Sequence, residues 1–172
     1  MIEILILYVL SKKDRTIYSI RKDIINFFGA FARPSIGTIA PALKRLEAEN
    51  AVSRSEKISE GGRKSCFYSI SSKGLSVFKK YFFDSKKNNP SLFYADINAR
   101  LGTIGLLKPQ ERKLFIEQSL RSIDIMIFEI QKQLEDEFLP LDAFQTKLLN
   151  RIMTELKSLK NYMQNLGIEN AL

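Results

Sequence analysis

Apolar residues recur in the first third of the chain at the three- and four-residue spacing of amphipathic helices. This spacing predicts a buried first helix over residues 2–12. A second helix is expected over residues 17–28, with Thr16 as its N-cap and Gly29 as its stop. A third follows within residues 34–50, with its apolar stripe formed by Ile36, Ile39, Leu43 and Leu46. Two helices joined by a short connection in this way predict a helix-turn-helix.

The outer face of the third helix is small, polar and basic. At about 100° per residue, the positions opposite or beside its apolar stripe are Gly37, Thr38, Pro41, Lys44, Arg45 and Ala48. A helix that enters the DNA major groove needs small residues where it approaches the bases and cations further along. Taken alone, the same pattern also fits an ordinary surface helix.

The pattern after Asn50 changes from helical to extended. Residues 51–57 and 65–70 are short strand-like segments, and the glycines and cations between them predict a hairpin with a basic tip at Arg63 and Lys64. Such a hairpin directly after a recognition-type helix is a wing, whose tip can contact backbone phosphates or the minor groove. An exposed turn made soluble by its charges is the alternative.

A helix resumes at Ser72, and the polar stretch 84–91 then marks the best domain boundary. We therefore divide the chain into a DNA-binding domain, 1–86, and a helical domain, 87–172. In the helical domain we expect a short helix over residues 92–107 and a long helix that Pro109 opens and Pro140 closes. A last helix begins near Phe144, so the long helices should form an antiparallel hairpin.

The two long helices carry more apolar surface than a hairpin can bury against itself. Their alternating three- and four-residue spacing is that of a coiled-coil seam. The residues that we assign to dimerisation are Ile116, Leu120, Ile123, Ile127, Ile130, Leu134, Leu148, Ile152, Leu156 and Leu159. A homodimer would present two recognition helices to half-sites about 34 Å apart, so its target would be a pseudo-palindrome.

The charge of the chain is unevenly distributed. Residues 1–86 hold 16 Lys and Arg against 8 Asp and Glu, whereas residues 87–172 hold 11 of each, so the net charge of +8 lies in the first half. A basic surface confined to one domain is typical of nucleic-acid binding. A solvated basic surface without a partner is the alternative.

The types of residue present argue against catalysis. The chain has no histidine and a single cysteine, Cys66, which removes the usual general base, nucleophile pairs and metal-ligand sets. The run from Gly61 to Lys64 lacks the spacing of a phosphate-binding loop. We expect no enzyme activity, cofactor or metal. No apolar run is long enough to span a membrane, and the lone cysteine favours an intracellular, cytoplasmic protein.

The segment Gly29 to Asn50 resembles the recognition-helix signature of PadR-type transcriptional regulators. Three further stretches resemble that family's pattern: Tyr18-Ser19-Ile20, Gly62-Arg63-Lys64 with Tyr68-Ser69-Ile70, and Ser72-Lys73-Gly74. The resemblance covers residues 1 to about 80 by motif and the remainder only by length and helical character. It implies a winged-helix regulator that is dimeric through C-terminal helices and often controlled by small aromatic or drug-like compounds.

The resemblance also implies roles for individual residues. Tyr18 matches a tyrosine near the DNA backbone; Ser35, Gly37 and Thr38 match the start of the recognition helix; and Lys44, Arg63 and Lys64 match basic positions that meet DNA. Ala40 stands where most members have a DNA-contacting tyrosine, which puts that contact in doubt. We therefore expect more of the DNA affinity to come from Arg33, Lys44, Arg45 and the wing. Ala32 and Ile17 replace an aromatic residue and a glycine, and an effector pocket built on tryptophan is excluded because the chain has none.

Together, these observations predict a mainly α fold with a small β-hairpin: a winged helix-turn-helix domain followed by a helical, antiparallel coiled-coil-like dimerisation domain. The predicted function is a sequence-specific DNA-binding regulator, a repressor acting as a homodimer on double-stranded DNA. The predicted DNA-binding residues are Tyr18, Arg33, Ser35, Gly37, Thr38, Pro41, Lys44, Arg45, Arg63 and Lys64. Two alternatives stay open at this point: a winged-helix protein-interaction module and a non-specific architectural DNA-binding protein.

Overall fold

The computed structural model describes residues 1–58, 64–84, 92–138 and 140–169. In this part of the chain the fold is mainly helical, with one antiparallel hairpin. The elements, in chain order, are α1 (Ile2–Leu10), α2 (Ile17–Phe28), α3 (Ile36–Ala48), β1 (Val52–Ile58), β2 (Lys64–Ile70), α4 (Gly74–Phe83), α5 (Phe93–Thr103), a short 3-10 helix (Ile104–Leu106), α6 (Pro109–Leu134) and α7 (Ala143–Glu169). The chain divides into two compact units, Met1–Leu107 and Lys108–Leu172.

Helix α1 is the centre of the first unit. Seven of its nine residues are buried, and it packs against α2, α3, α4 and α5. A helix that is apolar around most of its circumference is stable only when other elements cover it on several sides. The other helices of the unit are amphipathic and supply that cover with residues such as Ile24, Leu43 and Phe78.

Local signals placed the ends of α2 and α3 correctly. The Thr16 hydroxyl accepts a hydrogen bond from the Ser19 N–H, and Ser35 caps α3 in the same way through the Thr38 N–H. Gly29 ends α2 in a right-handed conformation, and it is required there because a Cβ would clash with the carbonyl oxygen of Ile25. Asn50 adopts the left-handed conformation that asparagine tolerates at the end of a helix, with φ of 56°.

The hairpin lies directly after α3. Its register runs from Val52 opposite Ile70 to Ile58 opposite Lys64. An isolated bridge between Arg15 and Tyr68 ties the segment before α2 to β2. The predicted tip, including Gly61, Gly62 and Arg63, lies outside the described residues, whereas Lys64 begins β2.

The first unit extends further than the predicted first domain. Residues 86 and 87, where we expected the boundary, lie outside the described residues. Beyond them, α5 packs against α1 and buries Ile97 and Ala99, so the compact unit reaches Leu107. Gly102 allows this packing, because a Cβ there would lie 2.9 Å from a ring carbon of Phe28.

The second unit is an antiparallel hairpin of α6 and α7. Pro109 opens α6 as predicted, while Asp142 caps α7 by accepting hydrogen bonds from the N–H groups of Phe144 and Gln145. The expectation that Pro140 closes α6 is wrong, since the helix already ends at Leu134. The Asp136 side chain accepts a hydrogen bond from the Phe138 N–H, a local turn that competes with continued helix.

Four of the ten residues of the predicted seam are buried within one chain. Ile116, Ile123, Ile130 and Leu156 are at most 9% exposed, while Asp124 and Lys160 form a 2.6 Å salt bridge between the two helices. These four apolar residues therefore stabilise the unit of a single chain and offer no surface to a second copy. The others are half-buried, namely Leu120, Ile127, Leu134, Ile152 and Leu159, except Leu148, which is 51% exposed.

Candidate nucleic-acid interface

Six residues of α3 and its cap form one exposed surface, which we call the groove face: Ser35, Gly37, Thr38, Pro41, Lys44 and Arg45. All six are exposed, whereas Ile39, Leu43 and Leu46 on the opposite side are at most 1% exposed. The helix is thus held by its apolar side against the core of the unit. Its small, polar and basic side is left to solvent, as its periodicity predicted.

The first turn of the groove face is slim. An added Cβ on Gly37 would meet only the Ser35 hydroxyl oxygen, at 3.6 Å, so the space in front of this residue is open. The hydroxyl groups of Ser35 and Thr38 lie 3.1 Å apart. A hydroxyl of this kind can both donate and accept a hydrogen bond, which suits contact with base edges.

The two cations of the groove face have different environments. Lys44 is exposed and forms no salt bridge within the described residues. Arg45, its neighbour, instead donates two hydrogen bonds to the Glu3 carboxylate of α1, from Nη2 at 2.5 Å and from Nε at 3.2 Å. Both cations are among the predicted DNA-binding residues, and the sequence pattern does not predict this difference in their environments.

Helix α2 and the connection to α3 supply further exposed cations. Tyr18 is 73% exposed, and Arg21 and Lys22 follow it at the three- and four-residue spacing of one helix face. Arg21 donates a hydrogen bond to the Pro34 carbonyl at 3.2 Å, and Arg33 donates one to the Gly29 carbonyl at 2.9 Å. Arg21 and Lys22 are not among the predicted DNA-binding residues, although their spacing from Tyr18 along one helix face indicates a shared surface.

The described part of the wing is also basic. Lys64 is exposed at the start of β2, while Arg54 lies on β1 with its Nε 2.9 Å from the Cys66 sulfur. Lys57 lies 3.5 Å from Asp14 and over the ring of Phe67. Arg63 lies outside the described residues. The wing therefore carries more cations than the two predicted at its tip.

A second polar cluster holds the C-terminal end of α3. The Glu49 carboxylate accepts hydrogen bonds from the Tyr81 hydroxyl at 2.5 Å and from Lys80 at 2.9 Å. The Tyr81 hydrogen bond and the Lys80 charge lower the pKa of Glu49. The same hydrogen bond, together with burial, raises the pKa of Tyr81 to about 12. This cluster joins α3 to α4.

The geometry of the first unit is that of a DNA-binding domain of the winged helix-turn-helix class: α2, a short connection, an exposed α3 and a basic hairpin. Residues 6–80 match the model of the "Transcriptional regulator PadR-like family". The match covers 75 of the 172 residues and lies within the first unit, so this part of the chain is similar to the PadR-like family of transcriptional regulators.

Two solved structures of transcriptional regulators align with almost the whole chain at low identity. Bacillus subtilis PadR in complex with operator DNA shares 16% identity with a TM-score of 0.44, covering 97% of this chain and 98% of that chain. A PadR-like regulator from Bacillus cereus shares 18% identity with a TM-score of 0.41, covering 98% of this chain and 97% of that one. A search of curated proteins found no match.

The structure also bears on other kinds of site. Among the described residues, no group of three or more His, Cys, Asp or Glu side chains could hold a metal ion. No helix in the same part of the chain combines the length and the hydropathy that crossing a bilayer requires.

Proposed function

We propose that this protein is a sequence-specific transcriptional repressor that binds a pseudo-palindromic operator as a homodimer. The observation that carries the proposal is the groove face, which is exposed along α3 while the opposite side of the helix is buried. A repressor of this kind would act in the cytoplasm by occupying DNA that RNA polymerase needs.

The residues would divide between base reading and backbone contact. Thr38, beside the open space at Gly37, is placed in the first turn of the helix, which enters the groove most deeply in this class of domain. Lys44, Arg33, Tyr18 and Lys64 would contact phosphates, which fix register but carry no sequence information. Arg63, predicted for the same role, would act from the tip of the wing.

The second unit supports a homodimer through the apolar residues that its own hairpin leaves exposed. Ile125 and Phe128 on α6 are 59% and 63% exposed, and Phe144 and Leu148 on α7 are 81% and 51% exposed. A protein that stayed monomeric would leave these side chains in water. Sedimentation of the purified protein at micromolar concentration tests this part, and a monomer would contradict it.

Control by a small aromatic effector is the last part of the proposal. An effector that binds one spacing of the two DNA-binding units better than another would shift the population and change operator affinity. Titration of the protein–DNA complex with benzoate and cinnamate derivatives tests it. Release of DNA at a saturating concentration supports the effector, and unchanged binding across the series speaks against it.

The decisive experiment is a binding titration against the chain's own upstream genomic DNA and a shuffled duplex of the same length. A regulator is expected to prefer the specific duplex by about 10³-fold or more at physiological salt. Equally tight binding to both duplexes would instead identify an architectural DNA-binding protein. Equally weak binding would identify a protein-interaction module.

Variants then assign the roles. Thr38→Ala should relax preference at one base pair, at a cost of about 1–3 kcal/mol. Lys64→Ala and Arg63→Ala should weaken specific and shuffled DNA alike and flatten the salt dependence. Base reading by α3 would be refuted if Thr38→Ala also affected both duplexes equally.

A further inference from the structure

Arg45 belongs to the groove face, but its side chain forms an ion pair with a residue of another helix. Its guanidinium donates two hydrogen bonds to Oε1 of Glu3, which is 42 residues earlier in the chain and belongs to α1. The side chain of Glu3 is only 10% exposed, whereas that of Arg45 is 53% exposed. The interaction therefore joins a buried carboxylate at the core to the outer side of α3.

A carboxylate in this position needs its partner. Burial raises the pKa of Glu3, but the hydrogen bond from Arg45, a backbone hydrogen bond and the charges of the N-terminal ammonium and of Arg45 together outweigh that effect and lower it. Removing Arg45 would leave the Glu3 carboxylate, which is only 10% exposed, without its two hydrogen bonds from that side chain. The N-terminal ammonium, 3.6 Å away, would then be its remaining ion-pair partner among the described residues, so movement of Arg45 to a DNA phosphate carries a free-energy cost.

Lys44 provides the contrast within the same turn of the helix. It is exposed, forms no salt bridge among the described residues and differs from Arg45 by one position. Two neighbouring cations of the same helix thus have separate environments. The exposed lysine suits phosphate contact, and the paired arginine suits attachment of the helix.

We infer that Arg45 is a positioning residue: its ion pair with Glu3 fixes the orientation of α3 against α1, and so aligns Thr38 and Lys44 with the DNA without contacting it. The effect acts together with Glu49, which ties the C-terminal end of the same helix to α4. The DNA part of this inference rests on the proposed function, whereas the pair itself can be tested without DNA.

The experiment compares Arg45→Gln, Glu3→Gln, the double variant and Lys44→Gln in DNA titrations over a range of salt. If Lys44 neutralises a phosphate, Lys44→Gln should lower the slope of log K against log[salt] by about 0.9. Arg45→Gln should leave the slope unchanged. It should reduce the preference for specific over shuffled DNA by about tenfold or more, as expected when the groups that read the bases are misaligned.

Glu3→Gln gives the sharpest distinction, because a positioning role and a DNA-contacting role of Arg45 predict opposite changes in DNA binding. If Arg45 positions the helix, neutralising Glu3 should lower discrimination as Arg45→Gln does, and the double variant should be no worse than either single one. If Arg45 instead contacts DNA, neutralising Glu3 should free it and tighten binding to both duplexes. Tighter binding, or a slope reduced by Arg45→Gln, would overturn the inference.

Two controls separate positioning from loss of the fold. Arg45→Lys keeps the charge and should restore most of the discrimination. Arg151→Gln removes an exposed salt bridge with Glu155 within α7 and should change neither folding nor DNA binding. Thermal unfolding without DNA tests the pair directly: the single variants should lower the midpoint, and the double variant should add little. Additive midpoint shifts would refute the pair even if specific DNA binding itself were never found.

Discussion

Replacement of Gly37 by alanine is expected to change folding stability and DNA affinity in opposite directions. Gly37 lies in the first turn of α3, and a Cβ there would contact only the Ser35 hydroxyl, at 3.6 Å. The fold therefore has room for the methyl group. Alanine also loses less backbone entropy than glycine when it becomes helical, so the variant should be more stable.

The expected changes in stability and affinity follow from the surroundings of Gly37 in the free protein and in the DNA complex. Glycine in a helix is less favourable than alanine by about 0.5–1 kcal/mol, which corresponds to a rise of roughly 1–4 °C in the midpoint of thermal unfolding. In the DNA complex the same methyl group would occupy space between α3 and the base edges. An extra methyl group in a tightly packed interface costs about 1–3 kcal/mol, or about 5- to 150-fold in affinity for each half-site.

The assay pairs thermal unfolding with titration of specific and shuffled DNA. Gly105→Ala is the matched control, because a Cβ there meets no atom within 4 Å and the residue lies outside the groove face. It should leave DNA binding unchanged. If Gly37→Ala were stabilised yet bound the specific duplex as tightly as the unmodified protein, α3 would not approach DNA closely at this turn. If it unfolded, Gly37 would have a structural role that its surroundings do not reveal.

Three other changes test separate parts of the fold. Ser35→Ala removes the side chain that caps the Thr38 N–H, and it should lower the free energy of unfolding by about 1 kcal/mol in urea. Because the pKa of Tyr81 is raised from 10.0 to about 12, its contribution to stability is complete below pH 10 and should be lost as the pH rises through about 12. Tyr81→Phe should remove that alkaline loss, which denaturant unfolding at several pH values measures. Phe128→Glu should convert the proposed dimer to a monomer in sedimentation and leave the single chain folded, because Phe128 is 63% exposed in one chain; a stable dimer would place the interface elsewhere.

Features that depend on neighbouring residues could be predicted from the sequence. The cap at Thr16, the stop at Gly29 and the opening of α6 at Pro109 are each local, and the structure confirms all three. Periodicity also separated the two sides of α3 correctly, since a helix exposes and buries residues at fixed angles. The mainly α winged-helix fold followed from these elements in order.

Features that depend on distant residues could not be predicted in this way. The pairing of Arg45 with Glu3 joins residues on different helices, and nothing in the sequence around either residue distinguishes Arg45 from Lys44. The element that covers the apolar seam on α6 could not be predicted from the sequence for the same reason. Its spacing shows that Ile123 is buried but not whether its cover is α7 of the same chain or a second copy.

The two ends of α3 have different mechanical roles, and this division explains where specificity should reside. The C-terminal end is attached twice, to α1 through Arg45 and to α4 through Glu49. The N-terminal end carries small side chains, and Pro41 cannot donate the usual helical hydrogen bond to the Gly37 carbonyl. The apolar side holds the helix against the core, so a rotation at these two attachments would be transmitted along the helix to its slim first turn. Base reading by Thr38 should therefore depend on Glu3 and Glu49, which are remote from the bases, as much as on the residues that face them.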